Sequence, residues 1–245
     1  MNELVAISYS TWSEKARWAL DHQRIPYVEK PYLPMLGEPA LRARLGQWSG
    51  RVSVPILFAD ARIIRESYAI ATFADESGSG PTLFPSAHKG EIREWNDKSE
   101  IAMAAGRAMA SQRVLDDPAA KREALPKIPG KALMTPLANL AVGYLRRKYD
   151  FSDSLEPQRK SLEEVLRHLQ SVTDAGAHYL VGGQFSYADI CMASALQCVR
   201  PVTDEYIKLG PATRKAWTDE GLANKYASLL GWRDQLYQER RIRQP

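Results

Sequence analysis

Residues 8–20 read SYSTWSEKARWAL and set Ser8, Tyr9, Ser10, Thr11 and Ser13 directly before an aromatic and basic helical pattern. A hydroxyl where a strand gives way to a helix has two uses. It can cap the helix by accepting from a first-turn N–H, or it can face an anion drawn to the positive end of the helix. Two further stretches carry candidate chemistry. Val54-Pro55 leads an apolar run, and Glu66-Ser67 follows eleven residues later at a second strand-to-helix junction. Ser186-Tyr187-Ala188-Asp189 places a carboxylate three residues after a hydroxyl, the spacing of a capping box.

Other chemistries lack their residues. The chain has no GxGxxG, no GxxxxGK[ST] and no GxSxG. His22, His88, His168 and His178 stand apart in sequence, and none belongs to HExxH or another ligand spacing, so no metal is expected. Cys191 and Cys198 lie seven apart in one helical segment, outside any CxxC, and read as buried structural thiols.

Composition narrows the setting. Of 245 residues, 44% are apolar and 25% charged, enough for a packed core without disulfides or metal. The net charge is +4, from 33 basic against 29 acidic residues, too mild and scattered to indicate nucleic-acid binding. Even the densest basic runs, Arg146-Arg147-Lys148 and the arginines at 240, 241 and 243, read as solvated faces. Residues 1–10 lack the basic and apolar regions of a signal peptide, and no apolar run is long enough to span a bilayer. With so few cysteines, the expected compartment is cytoplasmic.

The elements that must position these residues fall into two parts. Before residue 80, periodicity predicts strands over 4–7 and 27–32, helices over 12–23 and 39–45, a hairpin from 55–58 and 62–65, and a helix over 67–76. That βαβαββα order implies a small mixed sheet covered by helices. Gly78-Ser79-Gly80-Pro81 breaks the pattern, and strand signals vanish after about residue 90. The expected division is 1–80, a linker over 81–90, and an all-helical 91–245. Within the latter, Ile92, Trp95, Ser99, Ala102, Met103 and Gly106 begin a helical face, and Leu162, Val165, Leu166, Leu169 and Val172 form an apolar stripe. Pro126, Pro129 and Pro136 interrupt the region between. Residues 190–199 are apolar almost all round, as in a helix buried inside a bundle.

Taken in order and spacing, these features resemble the cytosolic glutathione transferase superfamily over nearly the whole chain. The stretch 63–70, IIRESYAI, is similar to its Glu-Ser glutathione-binding motif, and Ser186 to Asp189 resembles its helix-capping signature. The resemblance implies a thioredoxin-like first domain and an all-helical second one. It implies that Glu66 pairs with the γ-glutamyl ammonium, while Ser67 and helix-end N–H groups hold the neighbouring carboxylate. The proline matching Pro55 is cis in the family, and the backbone of the residue matching Val54 pairs with the cysteinyl unit like an added strand. Many relatives read Gly-Lys-Val-Pro, whereas this chain has Gly50-Arg51-Val52-Ser53-Val54-Pro55; two extra residues separate Arg51 from the place where it would meet the glycyl carboxylate. Ser186 and Asp189 are expected to be a structural cap.

Aligning Lys15-Ala16-Arg17 with the family's first helix puts Ser10 where a thioredoxin carries its first reactive cysteine. The resemblance implies that this hydroxyl donates to the glutathione sulfur. A thiol of pKa about 8.5 is only roughly 3% ionised at pH 7, and lowering it by two units gives roughly three-quarters thiolate. Thr11-Trp12-Ser13-Glu14 is itself a T-x-x-E capping box, so Thr11 is expected to cap and leave Ser10 for the ligand. Ser13 and Tyr9 compete with Ser10 for the thiol, and Trp12 and Ser13 join the expected glutathione contacts. A serine in place of cysteine also argues against disulfide-exchanging activity of the omega type.

The implied activity is thiolate attack on a hydrophobic electrophile. Trp12, Leu33 and Met35 in the 33–36 loop, and Met103, Arg107 and Met109 are the candidate walls of the second pocket. Alternatives are a specialised glutathione-dependent isomerase, dehalogenase or etherase, or a non-enzymatic binding module. Family members usually dimerise, so a homodimer is expected, with glutathione as co-substrate and no membrane or nucleic-acid partner.

Overall fold

A computed structural model describes residues 1–34, 36–60, 62–124 and 154–242. Four strands, β1 (Asn2–Ala6), β2 (Tyr27–Pro31), β3 (Ile56–Ala59) and β4 (Arg62–Arg65), form one sheet in the order β2-β1-β3-β4. β1 and β2 are parallel, so they need a crossover, and α1 (Thr11–His22) supplies it. The β3–β4 hairpin adds antiparallel pairs beside β1. α2 (Glu38–Leu45) precedes the hairpin and α3 (Ser67–Ser77) follows it, which is the βαβαββα order expected from periodicity.

Successive side chains on a strand point to opposite faces, so two cores flank the sheet. Leu4, Ala6, Leu57 and Ala59 pack with Ala16, Leu20, Ile70 and Phe73 of α1 and α3. Val5 and Ile56 face the other way, toward Leu41 of α2, Tyr32 and Val52.

Helices make up the rest. They are α4 (Lys89–Asp116), α5 (Pro118–Ala124), α6 (Glu156–Asp174), α7 (Tyr187–Ala195), α8 (Pro211–Trp217), α9 (Glu220–Lys225) and α10 (Ala227–Arg240). The prolines at 126, 129 and 136, the run Arg146-Arg147-Lys148 and Met35 lie outside the described residues. The expected helix over 190–199 stops at Ala195 and tightens into a 3₁₀ turn, Leu196–Cys198. This segment is buried throughout, and α4 lies so close that a Cβ on Gly106 would stand 2.2 Å from Cys198 Cβ.

α1 is where the two parts meet. It packs between the sheet and α7, and of its twelve residues only Trp12 and His22 are not fully buried. Glu14, Lys15, Arg17 and Asp21 are therefore buried charges, each held by a partner of opposite sign. Burying a charge without a partner is too costly to persist.

Candidate functional site

Register brings three chain segments to one end of the sheet. Val5 is paired with Ile56, and Ile56 with Arg65, in a single row across β1, β3 and β4. The turn from Ile7 to Ser10, the Val54-Pro55 dipeptide and the Glu66-Ser67 junction all lie just beyond that row. The Glu66 N–H donates to Pro55 O at 3.3 Å, which locks two of them together. The Val54–Pro55 bond is cis. Ser10 and Ser67 stand at the N-terminal ends of α1 and α3, two helices that pack side by side. Backbone N–H groups without helical partners and two aligned dipoles make this end of the sheet attractive to anions.

Glu66 has φ 71° and ψ 145°, a conformation essentially reserved for glycine, and its side chain is exposed. Such backbone costs of order 1–3 kcal/mol and concentrates at ligand sites. Ser67 is the first helical residue and is 3% exposed.

At the thiol position the geometry corrects the expected division of labour. Ser10, not Thr11, is the helix cap: its backbone is extended and its Oγ accepts from the Ser13 N–H at 3.4 Å. Thr11 is already helical and buried, so it cannot occupy the half-in position a cap needs. Nor does Glu14 close a box, because its carboxylate is taken by Arg17 and Arg241. Capping uses one lone pair of the Ser10 hydroxyl and leaves its proton to donate. Ser13 is fully buried, and its hydroxyl accepts from the Ile7 N–H at 3.2 Å. Tyr9 is 38% exposed and sets its ring edge-on against Trp217, 5.6 Å between centroids.

Trp12 and Arg107 do come together: the guanidinium lies over the indole ring, 4.7 Å from its centroid. The Trp12 N–H donates to Glu100 Oε2 at 2.5 Å, and Lys15 Nζ meets Glu100 Oε1 at 2.8 Å. Lys15 also donates to Asn96 and Ser99. Glu100 was absent from the expected site, although the helical spacing Glu100, Ala104, Arg107 would have placed it on the Arg107 face. Met103 and Met109 are not pocket walls: both belong to the helical core, 0% and 4% exposed. Leu33 is exposed on the loop after β2. Arg51 is exposed, and its carbonyl accepts from Gln47 Nε2 at 3.4 Å.

Asp189 accepts from the Ser186 N–H at 2.8 Å, the Ser186 hydroxyl at 3.1 Å and the Leu180 N–H at 2.9 Å, completing the capping box and tying in the preceding loop. Burial pushes this carboxyl up to about 6 despite those donors. Burial likewise raises Cys191 to about 11 and Cys198 to about 12, which keeps both thiols protonated and inert. Among the described residues no group of His, Cys, Asp and Glu could hold a metal ion, and no helix is long and apolar enough to cross a membrane.

Residues 9–77 match the family description "Glutathione S-transferase, N-terminal domain", and residues 134–216 match "Glutathione S-transferase, C-terminal domain". No curated protein matches the sequence. Among solved structures, a glutathione S-transferase from Methylobacillus flagellatus KT with glutathione bound superposes with a TM-score of 0.63 at 16% identity, over 98% of this chain and 96% of the other. The β-etherase LigF from Sphingobium sp. strain SYK-6 gives 0.64 at 17%, over 96% and 94%. A glutathione S-transferase domain-containing protein from Marinobacter aquaeolei VT8 gives 0.62 at 19%, over 97% and 98%.

Proposed function

The chain belongs to the glutathione S-transferase superfamily, and from that premise we propose that it binds glutathione at the sheet end and activates its thiol for attack on a hydrophobic electrophile. The observation that carries this reading is the single row Val5–Ile56–Arg65, beyond which Ser10, Val54-Pro55 and Glu66-Ser67 emerge together. Glutathione is an extended anionic tripeptide. Its γ-glutamyl carboxylate fits the N-terminal end of α3 at Ser67, with Glu66 supplying the countercharge for the ammonium. Val54 offers its main chain to the cysteinyl unit beside Pro55, and Arg51 is assigned to the glycyl carboxylate. The sulfur then reaches the turn before α1, where the Ser10 hydroxyl and the helix field favour the thiolate.

Chemistry follows from that placement. The thiol gives up its proton to solvent, and Ser10 donates to the sulfur anion. The sulfur lone pair forms a bond to carbon as the leaving group departs with its electron pair. Trp12 and Arg107 wall the electrophile's side.

A second reading is a specialised glutathione-dependent reaction, favoured by the likeness to a β-etherase. Isomerisation and dehalogenation belong to the same group. A detoxifying role, a cytoplasmic location and a homodimer complete the proposal.

Calorimetry with glutathione tests the site. Binding at millimolar ligand or tighter is expected, and none at that concentration would leave a non-enzymatic interaction module. Turnover on a panel of aryl halides, aryl ethers and haloalkanes then separates the reaction classes, and sedimentation tests the dimer.

A further inference from the structure

We propose that Arg241, the first residue past the last helix, is a positioning residue for the Ser10 turn, acting through Glu14 and Arg17. The proposal rests on the role given to Ser10 above, but the network itself is made of protein groups alone.

The turn hangs on Ile7. Its carbonyl accepts from the Ser10 N–H at 3.1 Å and from Arg17 Nη2 at 2.6 Å, while its N–H donates to Ser13 Oγ at 3.2 Å. Arg17 is in turn held by Glu29 at 2.8 Å and by Glu14 Oε2 at 3.0 Å. Arg241 Nε takes the other Glu14 oxygen, Oε1, at 2.7 Å, and its Nη1 reaches Asp21 Oδ2 at 2.6 Å. Glu14 and Asp21 are seven residues apart and so share a face of α1. One guanidinium from the far end of the chain therefore bridges two turns of the helix that Ser10 caps. The side chains of Glu14, Asp21 and Arg241 are each no more than 5% exposed.

Two physical effects reach Ser10 along this path. The first is geometric: a guanidinium's planar fork fixes both carboxylates, and Glu14 fixes the Arg17 that holds the Ile7 carbonyl. The second is electrostatic. Glu14 is the acidic residue of the first turn of α1, where an uncompensated negative charge would oppose an anion at the helix end. Arg17 and Arg241 compensate it. Around this network Glu29 is engaged with Arg17, the Tyr27 hydroxyl lies against Asp21, and Lys208 lines the same cavity as these side chains, while Lys15 turns to Glu100. Trp18 Nε1 donates to Arg240 O at 3.2 Å, which holds the segment carrying Arg241 against α1. None of this is visible in the local sequence, since 227 positions separate Arg241 from Glu14.

The test uses the full chain, with Arg241→Ala, Asp21→Asn and the double variant Glu14→Gln/Arg241→Ala. Amide hydrogen exchange of the ligand-free protein should speed up about tenfold over residues 7–14 in Arg241→Ala, with residues 162–169 of α6 unchanged. With glutathione bound, ultraviolet thiolate absorbance should show the thiol pKa rising by about one unit in Arg241→Ala and returning toward wild type in the double variant. Asp21→Asn keeps the Glu14–Arg241 pair and should leave the thiol pKa unmoved. Wild-type exchange over 7–14 in Arg241→Ala overturns the proposal, as does faster exchange spread evenly over the whole chain. If the alanine variant does not accumulate, Arg241→Lys is read instead, because it keeps the charge and loses the planar fork whose Nε and Nη1 meet the two carboxylates; wild-type exchange there has the same consequence. Failure of the wild type to bind glutathione would sink the transferase reading, and the exchange comparison would still decide the network.

Discussion

The indole N–H of Trp12 donates to the Glu100 carboxylate across 2.5 Å, joining the second residue of α1 to the middle of α4, 88 positions along the chain. Lys15, with none of its surface exposed, takes the other oxygen of the same carboxylate. The Glu100 side chain is itself 41% exposed, so one carboxylate both neutralises a buried ammonium and keeps contact with solvent. Glu100→Ala removes the one charged partner of Lys15 among the described residues, leaving Asn96 and Ser99 as neutral acceptors. The expected loss is about 1–3 kcal/mol, the cost of leaving a buried donor short of its partner. Urea denaturation checks it, and wild-type stability would mean that the two neutral acceptors suffice.

Ser10→Ala should act twice. Losing a hydrogen bond to a charged sulfur, worth about 1.5–3 kcal/mol, raises the bound thiol's pKa by about one to two units. Losing the cap lowers stability by about 0.5 kcal/mol, the low end for caps, because the contact to the Ser13 N–H is long at 3.4 Å. Thiolate absorbance and denaturation read the two effects separately. An unmoved thiol pKa would transfer the role to Ser13 or Tyr9.

Glu66 combines an exposed carboxylate with a backbone that only glycine adopts without strain. Glu66→Gly should therefore weaken glutathione binding by about tenfold while raising stability by up to about 1 kcal/mol, relieved strain exceeding glycine's entropic cost. Glu66→Gln should weaken binding without the gain in stability. Calorimetry and thermal melts distinguish them, and wild-type affinity in both variants would refute the γ-glutamyl assignment.

Two glycines of α4 should respond in opposite ways to alanine. At Gly106 the new methyl would meet Cys198 Cβ at 2.2 Å, so Gly106→Ala should cost about 1–3 kcal/mol by overpacking. At Gly90 nothing lies within 4 Å, and Gly90→Ala should be neutral or stabilising by up to about 1 kcal/mol. Paired denaturation curves test both, and equal effects would contradict the close approach of α4 to the 3₁₀ turn.

Acid should affect two buried carboxyls in opposite directions. Burial raises the Asp189 pKa to about 6, so between its unfolded value near 4 and about 6 the native state binds the extra proton. Its contribution to stability is present in acid and lost as the pH rises through about 6. The deficit of Asp189→Asn relative to wild type should thus be larger near pH 4 than near pH 7. Burial also acts to raise Glu14, but Arg241 and Arg17 outweigh it and leave that carboxyl lowered. Its contribution is present above its ordinary range and lost as the pH falls through the native value, so Glu14→Gln should lessen acid sensitivity. Denaturation across pH checks both, and parallel profiles for wild type and Asp189→Asn would exclude an elevated Asp189.

Local pattern was enough for the scaffold. The apolar run over 4–7 announced a strand, and Pro55, Glu66 and Ser67 stood at junctions readable from apolar runs and breakers. The capping box was legible because Ser186 and Asp189 are three residues apart, although the Leu180 N–H that Asp189 also accepts was not. Which hydroxyl caps α1 turned on a shift of one residue, decided by where the backbone leaves the extended region.

What the sequence determined by itself was the order of elements in the first eighty residues and roughly where each gives way to the next, because periodicity, capping and turn chemistry act within a few positions. Tertiary structure decided the rest. The basic run holding Arg241 read as a solvated face, yet Arg241 is buried against Glu14 and Asp21 of α1, and Lys15 of the same helix is buried against Glu100 of the second domain. α4 packs against more than one neighbour, so Met103 and Met109 went into the core while Glu100 and Arg107 faced Trp12. Buried charges need partners wherever in the chain those partners lie, and only the docking of two domains brings residues so distant within hydrogen-bond reach.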